Sequence, residues 1–139
     1  MPEPTPSRPL IVHIDDNAGD LELGQEAVAA CCGDAVEYLG IARPAIALQV
    51  LATLAAPDAP RLVLILVDVN LPRIDGWEIV AFLKAHPVLR CAPLVMLSGS
   101  NSARDLARAR AAGVDYRVKP ASFSALCALV RDLIGTRCW

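Results

Sequence analysis

Three apolar runs and one short strand-like segment in this chain each end in side chains that could do chemistry. Residues 9–14 end in Asp15-Asp16, residues 62–67 in Asp68, residues 94–97 in Ser98, and the short segment 114–118 in Lys119. The run before Asp68 is the clearest, because six consecutive apolar residues lead directly into a carboxylate. A buried carboxylate is costly unless a partner compensates its charge. The sequence therefore indicates that Asp68 has such a partner.

The three carboxylates and the two other polar groups form a set with one plausible chemistry. If Asp15, Asp16 and Asp68 lie close together, they repel one another, and a bound cation relieves that repulsion. Their hard oxygen ligands favour Mg²⁺, or alternatively Mn²⁺, over zinc or copper. A carboxylate can attack phosphorus to form an acyl phosphate. The Lys119 ammonium and the Ser98 hydroxyl could then hold phosphoryl oxygens.

Alternating elements are needed to bring these residues together. The apolar pattern predicts strands at residues 9–14, 34–41, 62–67, 94–97 and 114–118, and helices at residues 20–30, 44–54, 76–85, 102–112 and 122–134. Strands that alternate with helices predict a doubly wound parallel α/β sheet. Ligands of such sheets bind beyond the carboxyl ends of the strands. The candidate residues should therefore meet in one crevice.

Length and composition exclude several other classes of protein. The 139 residues predict one domain at 9–139 after a flexible arm at 1–8, and a net charge of −2 without a basic tract gives no support for nucleic-acid binding. The chain has no apolar run of membrane-spanning length and no signal-like N-terminus. Its five cysteines and two histidines contain no Cys-x-x-Cys, so we expect free thiols and a soluble, cytoplasmic protein.

The ordered set of polar residues resembles the receiver domain of two-component response regulators, in the CheY-like superfamily. The resemblance spans about residues 9–134 and rests on Asp15-Asp16, Asp68, Asn70, Pro72, Asp75, Gly76, Ser98, Tyr116 and Lys119-Pro120. It implies a flavodoxin-like fold, with a five-stranded parallel sheet of order 2-1-3-4-5 and five helices.

The resemblance also implies a role for each matching residue. Asp68 would be the phospho-acceptor, and Lys119 would pair with it and then with the phosphoryl group. Magnesium would be bound by Asp16 and Asp68, by Asp15 mostly through water, and by the backbone carbonyl of Asn70. Ser98 and Tyr116 would form the switch, and the Lys119-Pro120 bond would be cis.

A sensor histidine kinase is the implied phosphoryl donor. The receiver would catalyse only the transfer to Asp68 and a slow dephosphorylation, so it would not be a conventional enzyme. Phosphorylation would change a surface near the fourth helix and fifth strand. No output domain fits in the residues after Lys119, so the output would pass through protein contacts or phosphotransfer.

A subgroup of receivers that serve phytochrome-type kinases is also similar to this chain. The similarity rests on residues 16–20, the loop before the third strand, residues 70–72 and Trp139. It implies a candidate homodimer through the region from the fourth helix to the last. Five apolar residues of the last helix could serve that interface or simply pack on the sheet: Leu126, Leu129, Val130, Leu133 and Ile134.

Two other functions remain open. A phosphohydrolase of the haloacid dehalogenase type also has a nucleophilic aspartate at a strand end, but its general acid would stand at Asn70. An interaction module that is never phosphorylated usually lacks an acidic or lysine position, and none is missing here. Individually, Asp15-Asp16 could cap a helix, Asp68 and Lys119 could form a structural ion pair, and His13 is predicted to be a satisfied core residue.

Overall fold

The computed structural model describes residues 8–69, 71, 75–99 and 102–134. Five strands alternate with five helices: β1 (Leu10–Ile14), α1 (Ala18–Cys32), β2 (Glu37–Ile41), α2 (Pro44–Thr53), β3 (Leu62–Asp68), α3 (Gly76–Ala85), β4 (Leu94–Ser98), α4 (Ala103–Ala112), β5 (Asp115–Val118) and α5 (Phe123–Ile134). All pairings are parallel and the strand order is β2-β1-β3-β4-β5. The predicted fold class and strand order are confirmed.

The central strand β3 is apolar on both faces because helices cover both. Leu64 and Leu66 point into one hydrophobic cluster, and Ile65 and Val67 point into the other. This alternation is the period of two that strand geometry imposes. A strand buried on both sides of a parallel sheet needs a continuous apolar run, as the sequence has here.

The helices divide between the two faces of the sheet. One cluster receives side chains from α2, α3 and α4, including Leu51, Ile79 and Ala109. The other receives side chains from α1 and α5. In α5, Val130, Leu133 and Ile134 belong to this second cluster, and Leu126 and Leu129 pack against it. Packing on the sheet therefore accounts for the apolar residues that were candidates for a dimer interface.

Most helix boundaries follow from local capping. Asn17, Asp75 and Ser102 each precede a helix, and each side chain accepts a hydrogen bond from a backbone N–H of the first turn. The helix α4 ends at Gly113, whose φ of 69° lies in the left-handed region that favours glycine. The predicted bounds of α3 were correct, whereas α1 is longer at both ends than predicted.

One predicted strand begins too early. The segment Gly33–Ala35 forms a short 3-10 turn, and β2 starts only at Glu37. Asp34 is exposed, and its backbone carbonyl accepts a hydrogen bond from Arg8, which also pairs with Glu37 at 2.7 Å. Apart from Arg8, the predicted N-terminal arm lies outside the described residues. Within the described part of the chain, no helix combines the length and the apolar character needed to span a membrane.

Candidate functional site

The ends of β1 and β3 bring three carboxylates together. Asp15 directly follows β1 and Asp68 is the last residue of β3. The carboxylate oxygens of Asp15, Asp16 and Asp68 lie within 4.8 Å of one another. Asp15 and Asp68 are buried, whereas Asp16 is exposed, so the cluster is reachable from solvent on the Asp16 side.

Lys119 is the cation that this cluster contacts. Its backbone N–H donates to the Ser98 carbonyl oxygen at 2.7 Å, which holds the residue at the end of β5 beside β4. Its ammonium lies 3.0 Å from Asp15 Oδ2 and 3.1 Å from Asp68 Oδ2. Burial lowers the pKa of Lys119, but hydrogen bonds to the carboxylates raise it by more, so the net shift is upward. The ammonium therefore stays charged at neutral pH.

A fourth carboxylate was missed in the sequence. Asp20 Oδ2 lies 3.1 Å from the Lys119 ammonium, and the Asp20 backbone N–H donates to the Asn17 side chain. An acidic residue in the first turn of a helix is common for its favourable interaction with the helix dipole, so its residue type alone does not indicate a contact with Lys119. The available signal was position, because the first turn after Asp15-Asp16 must stay near the same edge of the sheet.

The donor set fits a hard divalent cation. Asp15 Oδ1 accepts from the backbone N–H of Asn17 at 2.9 Å, and its other oxygen accepts from Lys119. Burial raises the pKa of Asp15, although these two hydrogen bonds oppose the shift. One ammonium cannot neutralise the surrounding carboxylates, so a negative charge remains for a cation. Oxygen ligands of this kind suit Mg²⁺ or Mn²⁺.

The loop after β3 is only partly described. Asn70 and Pro72, both predicted to belong to the site, lie outside the described residues. Gly76 opens α3, and its backbone N–H donates to the Val69 carbonyl at 3.1 Å. A Cβ at Gly76 would stand 2.5 Å from the backbone oxygen of Asp68, which is too close for any side chain. Glycine is therefore required here for the close approach of α3 to the end of β3.

Ser98 and Tyr116, the two predicted switch residues, are both buried. Ser98 is the last residue of β4, where it pairs with Val118. Tyr116 pairs with Met96, and its side chain packs in the cluster on the α2–α4 face. The expected cis bond before Pro120 is wrong, since the described residues contain no cis peptide bond. The trans form is the intrinsically favoured one, and Lys119 reaches its partners with it.

His13 has an environment that its sequence position did not predict. Its side chain is buried, and Nδ1 lies 2.7 Å from the Tyr38 hydroxyl oxygen. Since that hydroxyl donates to the Leu21 carbonyl, Nδ1 carries the proton and donates to Tyr38. Nε2 has no hydrogen-bond partner within the described part of the chain and lies 4.0 Å from Asp15 Oδ2. The prediction of a satisfied core histidine therefore holds only for Nδ1.

Burial controls the protonation of His13. It lowers the pKa of the imidazole to about 4, and the nearby Lys119 charge acts in the same direction. The other histidine, His86, ends α3, and its Nδ1 accepts from the Val88 backbone N–H at 3.3 Å.

Together the fold and the crevice define a doubly wound α/β domain with an acidic site and one lysine at the carboxyl edge of its sheet. The family model for the response regulator receiver domain matches residues 20–131, and the chain belongs to this family. The predicted resemblance is confirmed.

Individual relatives agree with this assignment. The response regulator Rcp1 of Synechocystis sp. is 32% identical over 99 residues, which cover 70% of this chain and 66% of Rcp1. A probable methanogenesis regulatory protein, FilR2 of Methanothrix harundinacea, is 40% identical over 75 residues, or 53% of this chain and 47% of FilR2. The chain spans about half the length, or less, of the first curated relatives it matches.

Solved structures show the same fold. The phosphorylated cyanobacterial phytochrome response regulator RcpA has a TM-score of 0.76 and 31% identity over 91% of each chain. The Mn(2+)-bound form of Rcp1 has a TM-score of 0.74 and 28% identity, over 91% of this chain and 92% of Rcp1. This chain is thus similar to one structure described as a phosphorylated phytochrome response regulator and to another described as the Mn(2+)-bound form of a response regulator.

Proposed function

We propose that this receiver, at residues 9–139, accepts a phosphoryl group on Asp68 from the phosphohistidine of a sensor histidine kinase. The observation that carries the proposal is the contact of one ammonium with two buried carboxylates, Lys119 with Asp15 and Asp68, beside an exposed third, Asp16. A structural ion pair needs only one carboxylate for one lysine. The excess of negative charge, open to solvent, favours a site built for a cation and a phosphoryl group.

The transfer needs little from the protein beyond position and charge. An oxygen of Asp68 attacks phosphorus, the new O–P bond forms as the P–N bond of the donor breaks, and the imidazole leaves with the electron pair. Lys119 and the Ser98 hydroxyl stabilise the charge on the transferring oxygens. Hydrolysis of the acyl phosphate by water then returns Asp68 to its carboxylate form, and this slow step is the only other reaction that we assign.

Magnesium, with Mn²⁺ as the alternative, would be held by Asp15, Asp16, Asp68 and the backbone carbonyl of Asn70. When bound it would offset negative charge on the phosphoryl group. The residues of the chain keep the site ready for it. Asp15 is fixed by the Asn17 N–H, and Asp16 remains accessible. The Mn(2+)-bound form of Rcp1 supports this assignment.

Ser98 and Tyr116 are the proposed switch. Ser98 lies on β4, the strand next to β3, and Tyr116 lies on β5, the strand beyond it; both residues are buried. A phosphoryl group on Asp68 would draw the Ser98 hydroxyl toward it and change the packing around Tyr116. The surface formed by α4 and β5 lies directly outside these residues, so it is the surface expected to change.

A phytochrome-type kinase is the candidate partner, because RcpA is described as a phytochrome response regulator. A homodimer through the region from α4 to α5 remains a proposal, as does a cytoplasmic location. We assign no nucleic-acid or membrane partner. Phosphotransfer from a panel of purified, radiolabelled histidine kinases would test the partner, and a phytochrome kinase should transfer fastest. Equal rates for unrelated kinases would contradict that assignment.

The decisive experiment is incubation with acetyl phosphate and Mg²⁺, followed by intact mass measurement. Wild type should gain one phosphoryl group, and chelation of the metal should abolish the gain. Asp68→Asn should gain none. Asp58→Asn is the matched control, since Asp58 is exposed in the loop before β3, at the opposite end of that strand. Wild type that stays unmodified with Mg²⁺ present would favour the inert interaction module.

The phosphohydrolase alternative is separated by turnover. A hydrolase would release phosphate from acetyl phosphate continuously and would leave little modified protein. A switch would accumulate the acyl phosphate and release phosphate slowly. The presence of Asn70 where a general acid would be needed favours the switch.

A further inference from the structure

Two cysteines lie where α1 packs against α5, on the side of the sheet away from α2, α3 and α4. Cys31 lies in the last turn of α1, and Cys127 lies in α5. The Cys31 thiol donates to the Cys127 carbonyl oxygen at 3.6 Å, across 96 positions of sequence. Cys127 belongs to the hydrophobic cluster of this face, and Cys31 packs against the same cluster.

The thiols also interact with each other. Burial raises the pKa of Cys31, the charge of Arg131 opposes that shift, and the nearby Cys127 side chain raises the pKa further. Disulfides form between residues whose Cα atoms are about 4.4–6.8 Å apart. A 3.6 Å contact from the Cys31 sulfur to the Cys127 backbone is compatible with that spacing.

We propose that Cys31 and Cys127 are an oxidation site that forms an intramolecular disulfide and links α1 to α5. A peroxide is the chemical class of the oxidant. The Cys31 thiolate attacks one oxygen of hydrogen peroxide, the O–O bond breaks, and the departing hydroxide takes up the proton that the thiol had released, so that a sulfenic acid and one water result. The Cys127 sulfur then attacks the Cys31 sulfur, the S–O bond breaks, and a second water carries away the thiol proton. One peroxide thus oxidises two thiols to one disulfide.

Exposure sets the order of these steps. Cys31 is partly exposed, whereas the Cys127 residue is only 6% exposed, so the peroxide reaches Cys31 first and Cys127 resolves the sulfenic acid. The raised pKa of Cys31 makes the first step slow at neutral pH and faster as the pH rises, because the thiolate is the nucleophile.

The other described cysteines are poorer partners. Cys32 is the next residue to Cys31 on the same helix, and a bridge between adjacent residues would require the end of α1 to unwind. Cys91 is exposed in the turn between α3 and β4, on the segment Leu89–Cys91. Leu89 of that segment packs in the opposite hydrophobic cluster, so Cys91 is the natural control.

A link at this place would restrain both helices that lead to the acidic site. The first turn of α1 carries Asp20, and α5 begins shortly after Lys119-Pro120. The cross-link would also close a long loop of the unfolded chain, which raises thermal stability in proportion to the entropy removed. The oxidised protein should therefore melt at a higher temperature than the reduced protein. This inference does not depend on phosphorylation of Asp68.

The test is oxidation with hydrogen peroxide, then unfolding, alkylation of remaining thiols and intact mass measurement. Two of the five cysteines should escape alkylation in a monomeric product, and proteolysis should yield one cross-linked peptide pair containing Cys31 and Cys127. Reduction before alkylation should restore all five. Mapping of the link to another pair, or full alkylation after oxidation, would overturn the proposal.

Variants separate the two thiols from general oxidation. Cys31→Ser should abolish the intramolecular link, and Cys91→Ser should leave it intact. Cys127→Ser should also abolish the link. If this variant folds poorly because its hydroxyl is buried, Cys127→Ala serves the same test without a buried hydroxyl. If monomeric Cys31→Ser still contains two cysteines that escape alkylation after oxidation, this pair is excluded. An oxidised product that contains only intermolecular dimers would also exclude it.

Discussion

Replacement of Lys119 by methionine removes the only lysine of the site and keeps an apolar side chain of similar length. The ammonium contacts Asp15, Asp68 and Asp20 in the described structure. Without it, the nearly buried carboxylates of Asp15 and Asp68 lose the ammonium that both of them contact. We expect the variant to fold less stably, and to regain stability when a divalent cation is added.

The magnitude follows from burial. Removal of one partner of a buried ion pair costs about 3–5 kcal/mol, because the other charge remains buried. The Lys119 side chain is 26% exposed and that of Asp20 is 40% exposed, so water screens part of the interaction. We expect a loss of about 3 kcal/mol at neutral pH with a chelator present. The loss should shrink at acidic pH, because the unpaired carboxylates can be neutralised by protons.

Urea unfolding with EDTA, and again with Mg²⁺, measures both effects. A cation that binds only the folded state stabilises it by mass action. It should stabilise Lys119→Met more than wild type, because it replaces the charge that the variant lacks. Lys84→Met is the matched control, since Lys84 is the other lysine of the chain and is exposed near the end of α3. The reasoning is refuted if Lys119→Met is as stable as Lys84→Met in EDTA, or if Mg²⁺ stabilises both equally.

Three further predictions concern buried contacts. Gly76→Ala should lower the free energy of unfolding by about 2 kcal/mol or more and slow phosphorylation, because the new Cβ meets the Asp68 backbone oxygen. Urea unfolding measures the first effect, and labelling with acetyl phosphate measures the second. Gly24→Ala should also destabilise, despite the better helix propensity of alanine, because its Cβ would lie 2.6 Å from His13 Nδ1 and 2.9 Å from the Tyr38 hydroxyl. Burial lowers the pKa of His13 to about 4, so the unfolded chain takes up the proton first as the pH falls. The free energy of unfolding of wild type should therefore fall by about 3 kcal/mol between pH 6.5 and 4 through this residue. His13→Gln should show a smaller slope over that range, and equal slopes would contradict the assignment.

The sequence predicted the central strands and the site edge well because burial dictates them directly. A run such as residues 62–67 has no polar position for a solvated face, and its shortness favours a strand covered on both sides, with the next polar residue at the edge of the sheet. The same reasoning located Asp15, Ser98 and Lys119. The start of β2 was predicted wrongly because Gly33–Ala35 makes a local turn, which apolar periodicity does not detect.

Contacts between distant elements were harder to predict. The partner of His13 is Tyr38, which lies on the neighbouring strand, and no local pattern pairs them. Likewise, the first turn of α1 faces the end of β5 only after the sheet is assembled, so the contact of Asp20 with Lys119 was missed. Sequence periodicity indicates which face a residue occupies, but register and helix placement decide which atoms touch.

Three carboxylates surround one ammonium at this site, which explains why Lys119 has three partners rather than one. In the structure the single ammonium contacts all three carboxylates and balances their charge only in part. A cation bound near Asp16 would neutralise Asp15 and Asp68 and weaken their hold on the ammonium. Lys119 would then be able to turn toward a phosphoryl group on Asp68 without leaving buried carboxylates unpaired. Metal binding and phosphoryl transfer should therefore be coupled through this one side chain, and loss of Lys119 should remove that coupling even where Mg²⁺ still binds.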